Sequence, residues 1–80
     1  MDIFFFGRLG DAAQNISAVK PVGVVDTDSL IKWLSDNNEV LGDELAKAGN
    51  RIAVNKVIVN DNTALNDNDE VAFMSPLSGG

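Results

Sequence analysis

Asp26-Thr27-Asp28-Ser29-Leu30-Ile31-Lys32-Trp33-Leu34 is the stretch on which the reading of the fold turns. Its first four residues offer side-chain oxygens to the free N–H groups of a helix start. Leu30, Ile31, Trp33 and Leu34 follow at the spacing that lines one helical face. Asn37-Asn38 ends this main helix, and a second short helix is predicted from Val40 to Ala48, closing at Gly49-Asn50 in a left-handed cap. On both sides the chain changes to short runs of strand-favouring residues. Ile3 to Phe6, stopped by Gly7, reads as a first strand. Val22 to Val25, after Pro21, reads as an edge strand, where the missing proline N–H does no harm. Arg51 to Val54 and Val57 to Val59 flank Asn55-Lys56, a pair suited to a two-residue hairpin because Asn tolerates positive φ. The turn cluster Asn66-Asp67-Asn68-Asp69 leads into a last strand, Glu70 to Met74, and Arg8 to Asn15 holds at most a short helical turn weakened by Gly10.

The order strand, strand, helix, strands, strand in 80 residues, with no internal repeat and no long linker, predicts one α+β domain. A small mixed sheet crossed by one main helix satisfies it. This is the layout of the ubiquitin-like β-grasp, in which the first and last strands lie side by side at the sheet centre. Residues 1–75 then form the domain and residues 76–80 an extended Gly-Gly tail. Strand alternation sends Ile3, Phe5, Val71 and Phe73 to the core and Phe4, Phe6, Ala72 and Met74 to the opposite face. One helix cannot cover both faces, so Phe4, Phe6 and Met74, with Pro76 beside them, are the candidate partner interface.

Composition removes most other functions. Twelve acidic against six basic residues give a net charge of −6, which repels phosphate backbones and anionic lipid and favours a partner with a basic face. Nucleic acid and membrane are not expected partners. The absence of Cys and His removes disulfides, thiolate nucleophiles, Ser-His-Asp triads and zinc sites built on imidazole or sulfur. The N-terminal Met1-Asp2-Ile3-Phe4-Phe5-Phe6-Gly7 is too short and too acidic for a signal peptide or a span, so a cytoplasmic protein is expected. At this size a deep active site built by this chain alone is disfavoured.

The C-terminal end is the chemically informative feature. The last charged side chain is Glu70, and Pro76-Leu77-Ser78 is followed by Gly79-Gly80. A chain without Cβ atoms can enter a narrow channel and present its carboxylate unobstructed. The run Leu65-Asn66-Asp67-Asn68-Asp69-Glu70-Val71-Ala72-Phe73-Met74-Ser75-Pro76-Leu77-Ser78-Gly79-Gly80 resembles the ending of the sulfur-carrier small subunit of molybdopterin synthase, the MoaD family. Phe5-Phe6-Gly7-Arg8-Leu9 and Ala53-Val54-Asn55 resemble that family's opening and middle segments, so the resemblance covers nearly the whole chain. Three positions depart from it: Asn68 stands where the family usually has Gly, Ser75 where a first proline is common, and Gly10 where a basic residue is frequent. Asn68 tolerates a left-handed turn, whereas loss of a proline at Ser75 loosens the arm.

The resemblance implies a carrier with no bound cofactor and no catalytic machinery of its own. Its Gly80 carboxylate is adenylated with ATP by a ubiquitin-activating-type enzyme, then converted by a sulfur donor to a thiocarboxylate. That group gives its sulfur to cyclic pyranopterin monophosphate inside the large synthase subunit, in a heterotetramer, during molybdenum cofactor synthesis. Gly80 is the reacting residue, and Gly79, Ser78 and Leu77 form the tail. Thiamine thiazole synthesis and tRNA thiolation use similar carriers and stand as alternatives.

A rival from another class is an acyl carrier, since Asp28-Ser29-Leu30 at a helix start also resembles a pantetheine-bearing serine. Acyl carriers are helical bundles, and the strand-like runs here disfavour one. Asp61, Asp67, Asp69 and Glu70 lack the ligand spacing of a calcium loop, and Gly7-Arg8-Leu9-Gly10 lacks the Lys-Ser/Thr of a phosphate loop.

Overall fold

Four strands and three helices follow one another in a computed structural model that describes residues 1–15 and 21–76. The strands are β1 (Asp2–Phe6), β2 (Arg51–Val54), β3 (Val57–Val59) and β4 (Glu70–Met74), and the helices α1 (Arg8–Ala12), α2 (Thr27–Asn37) and α3 (Glu39–Leu45). The sheet order is β1-β4-β2-β3, with β1 and β4 parallel and the other neighbours antiparallel. This small mixed sheet carrying helices is consistent with the ubiquitin-like β-grasp.

Helix α2 forms where the sequence places it, for the stated reason. Asp26 caps it by accepting the Ser29 N–H at 2.8 Å, and the Ser29 hydroxyl accepts the Asp26 N–H at 3.1 Å, completing a capping box. Asn38 ends α2 and caps α3, its side chain accepting the Leu41 N–H at 3.1 Å. The β2–β3 turn is the predicted one: Asn55 and Lys56 both adopt positive φ, 50° and 69°, as a two-residue turn matched to strand twist requires.

Four expectations need correction. Val22 to Val25 is not a strand: Pro21 to Val24 turns, with Gly23 at φ 84° and Val22 95% exposed, and only an isolated bridge from Asp26 to Ala64 follows. The first and last strands do lie side by side, but among the described residues β4 and β2 are the interior strands and β1 stands at an edge. The second helix runs over Glu39–Leu45, ending before Ala48, because the Asn50 side chain donates to the carbonyls of Glu44 and Lys47. Asn68 does not use the left-handed region; the turn closes through Asp69 N–H to the Asn66 carbonyl at 3.1 Å, and the Asp69 carboxylate accepts the Asn66 N–H at 2.7 Å.

The core lies on one side of the sheet. Ile3, Phe5, Val71 and Phe73 are buried there with Leu9, Leu30, Leu34, Leu41 and Leu65 from the helices and the turn region. The Phe5 and Phe73 rings stack with centroids 5.6 Å apart. Phe73→Ala should therefore cost about 3–5 kcal/mol, a large part of a small domain's stability, measured as a lower urea midpoint at unchanged slope. Acid dependence follows from two carboxylates. The Ser29 hydroxyl and N–H, with Asn62, hold Asp26 below the ordinary carboxylate pKa; the Asn66 N–H and the Asn55 side chain do the same for Asp69. With folded pKa values below the unfolded ones, this stabilisation is present above about pH 4 and is lost as pH falls through the folded values. Asp26→Asn with Asp69→Asn should flatten that acid arm in urea titrations across pH.

Candidate functional site

The sheet face away from the helices is built by strand register. Paired residues share a side, so Phe4, Ala72, Ala53 and Ile58 form one row across all four strands. Phe6, Met74 and Arg51 form the next row. Phe6 is 51% and Ile58 54% exposed, while the small Ala53 and Ala72 leave the middle of the face low. A depression of about 280 Å³ lies there, lined by Phe4, Phe6, Ala72, Lys56 and Glu70. The patch is apolar at its centre, with Arg51 at one end and Lys56 and Glu70 at the other. Apolar side chains held together and open to water mark a surface for a partner.

Phe4, Phe6 and Met74 thus come together as alternation predicts. Pro76 lies elsewhere, lining a second depression of about 240 Å³ with Arg8, Glu44, Lys47, Ala48, Asn50 and Ser75. Leu77, Ser78, Gly79 and Gly80 fall outside the described residues. Sequence reasoning missed Ala53, Ile58 and Arg51, although carrying the alternation through the Asn55-Lys56 turn would have placed all three on this face.

The chain leaves the sheet through a notch. Ser75 N–H donates to the Phe6 carbonyl at 3.4 Å, and the Ser75 hydroxyl accepts the Arg8 N–H at 2.8 Å. That N–H opens α1, where Gly7 has no side chain to satisfy it. Gly7 has φ 68°, and a Cβ on it would overlap the Ser75 hydroxyl; Gly49 has φ 91°, and its Cβ would lie 2.8 Å from Pro76 Cγ. Both glycines are required by conformation and by space. The positive φ foreseen at Gly49 serves this approach, since α3 ends earlier. Ser75, expected to loosen the arm, is instead hydrogen-bonded to the domain. Gly10 packs under β1, where a Cβ would come 3.1 Å from the Phe5 carbonyl oxygen.

The remaining candidates have structural roles. The Ser29 hydroxyl lies 2.6 Å from Asp26 Oδ1 and accepts two N–H groups, so it is engaged in capping rather than presented for modification. Among the described residues no group of three or more Asp or Glu is placed to hold a metal ion, and no helix is long and apolar enough to cross a membrane.

No curated protein matches the chain. The ThiS family model matches residues 3–80, from the first strand through the final Gly79-Gly80. The chain therefore belongs to the ThiS family of ubiquitin-like sulfur carriers.

Proposed function

We propose that this carrier is the small subunit of a molybdopterin synthase, with the carboxylate of Gly80 as the atom group that is loaded. The observation that carries the reading is the run from Leu65 to Gly80, whose Asp69-Glu70-Val71-Ala72-Phe73 segment and Gly-Gly end resemble that subunit. A second reading, sulfur carriage for thiamine thiazole synthesis, is equally compatible with the ThiS family match. The loading chemistry is common to both.

ThiS-type carriers work with an adenylating enzyme related to ubiquitin activation and with a partner synthase. A carboxylate is a poor electrophile. Its oxygen attacks the α-phosphorus of ATP, pyrophosphate leaves, and the acyl-adenylate now carries AMP as a good leaving group. Sulfur supplied by the donor at the sulfide level, as hydrosulfide, attacks the acyl carbon, the carbon–oxygen bond to AMP breaks, AMP departs, and loss of the remaining proton leaves the C-terminal thiocarboxylate. This soft, anionic nucleophile then delivers sulfur inside the synthase, to cyclic pyranopterin monophosphate on the first reading. The acid–base and phosphate-binding groups belong to the partners, in keeping with a chain that has neither His nor Cys. Its own contributions are the docking face, the tail and the place where the tail departs.

Loading should require Gly80 absolutely. The adenylating enzyme must bring the carboxylate within about 3–3.5 Å of the α-phosphorus, and removing one residue shortens the tail by roughly 3.3–3.6 Å. With the cognate activating enzyme, ATP and a sulfur donor, the Gly80-deleted chain should stay folded yet release no pyrophosphate and gain no sulfur by intact mass; sulfur gain at the full-length rate would sink the reading. Met74→Asp places a charge in the apolar row and should weaken binding to the activating enzyme at least about tenfold, since a buried hot spot is worth more than about 1.4 kcal/mol. Its melting temperature should stay close to the parent's, and calorimetric titration checks the affinity. Transfer assays decide between pathways: sulfur delivered to cyclic pyranopterin monophosphate with a large synthase subunit supports the first reading, and delivery only to a thiazole synthase the second.

A further inference from the structure

The notch that holds Ser75 stands just before the tail and is conformationally demanding. Gly7 and Gly49 both adopt positive φ, and any side chain at either would strike Ser75 or Pro76. Ser75 is tied to β1 through its N–H to the Phe6 carbonyl at 3.4 Å and to α1 through the Arg8 N–H at 2.8 Å. Two elements from the other end of the chain therefore fix one residue at the end of β4.

We infer that Ser75 is a positioning residue that sets the direction in which the tail leaves the domain, so that a carrier docked through its open face presents Gly80 to the partner's channel. The inference rests on the sulfur-carrier reading above and adds a residue to it. Five residues separate Ser75 from the reacting carboxylate, a reach of at most about 17–18 Å. The point and direction at which the chain leaves the domain bound where its end can reach, and a misplacement of about 1 Å at a reacting group can cost about 100-fold in rate. A proline at this place would limit direction through its fixed φ. Here a hydroxyl does so through the backbone N–H it accepts, which is why Gly7 must leave it room, while Gly49 leaves room for Pro76.

The geometry also separates positioning from mere stabilisation. Ser75 and Arg8 are not core residues, and the buried cluster is complete without them. Loss of the hydroxyl removes the acceptor of the Arg8 amide and the hydroxyl's own bond to the Phe6 carbonyl at 3.3 Å, so the tail root should be held only by the Ser75 N–H while the domain stands. The test compares the parent, Ser75→Ala and Ser75→Thr, which keeps the hydroxyl, with Gly80 deletion as reference. Ser75→Ala should keep the parent's melting temperature and its affinity for the activating enzyme, while kcat/KM for adenylation falls about tenfold, less than the roughly 100-fold of a full 1 Å error. Its Arg8 amide should exchange with solvent faster, and Ser75→Thr should restore both the exchange protection and most of kcat/KM. Adenylation by Ser75→Ala at the parent's kcat/KM overturns the inference, as does a loss that Ser75→Thr shares or that merely follows a lowered melting temperature. If the Gly80-deleted chain is itself loaded, the failure lies with the sulfur-carrier reading; if that chain is inert and Ser75→Ala is unimpaired, it lies with Ser75 alone.

Discussion

The parallel pairing of β1 with β4 is the constraint from which the rest of the molecule follows. It joins the first and last described strands in register from Asp2 opposite Glu70 to Phe6 opposite Met74, and the Phe5–Phe73 stack locks it from the core side. The same pairing has an outer face. Because alternate residues point to opposite sides, burying Ile3, Phe5, Val71 and Phe73 obliges Phe4, Phe6, Ala72 and Met74 to face outward. It also ends both strands at one place, so that Ser75 meets Phe6 and Arg8 and the chain departs beside the docking face. Core, interface and tail root are three consequences of one register.

This arrangement divides the labour of a carrier sensibly. The helical side supplies the stability: α2 and α3 share Asn38 as C-cap and N-cap, and Leu30, Leu34 and Leu41 bury against the sheet. The open side carries a shallow apolar row bounded by Arg51, Lys56 and Glu70, the candidate surface for recognition. Screened charge acts over a Debye length and apolar burial only at contact, so a net charge of −6 and an exposed apolar row do not interfere with each other. Beyond Pro76 the sequence carries no charged side chain and closes on Gly79-Gly80, the segment to which the proposed function assigns the chemistry.

Much of this architecture is legible in the amino-acid sequence. The capping box at Asp26 and Ser29, the Asn55-Lys56 turn and the strand alternation are local signals, and each appears in the fold where local physics places it. The failures are equally instructive. Val22, Val24 and Val25 have strand propensity, but Gly23 at positive φ turns the chain, and among the described residues no strand pairs with them. Helix α1 exists despite Gly10 because Leu9 is fully buried, a tertiary gain that propensity does not contain. Ser75 reads in sequence as the loss of a rigid proline, since its partner Arg8 lies 67 positions away and no local pattern can reveal the bond. Alternation carried through the Asn55-Lys56 turn puts Ile58 and Arg51 on the open face, and the register with β4 sets which row each joins. The tail residues are read from their chemistry and from family resemblance, and Gly80 remains the residue on which the functional account depends.

That dependence can be measured without reconstituting any partner. Intact and fragment mass spectrometry of the chain purified from its own cells, under conditions that preserve thioacids, reports the state of the terminus directly. The account predicts a subpopulation in which one oxygen of Gly80 is replaced by sulfur, with Ser29 unmodified. A terminus that is oxygen-only when the sulfur pathway is active, or a pantetheine adduct on Ser29, would contradict it.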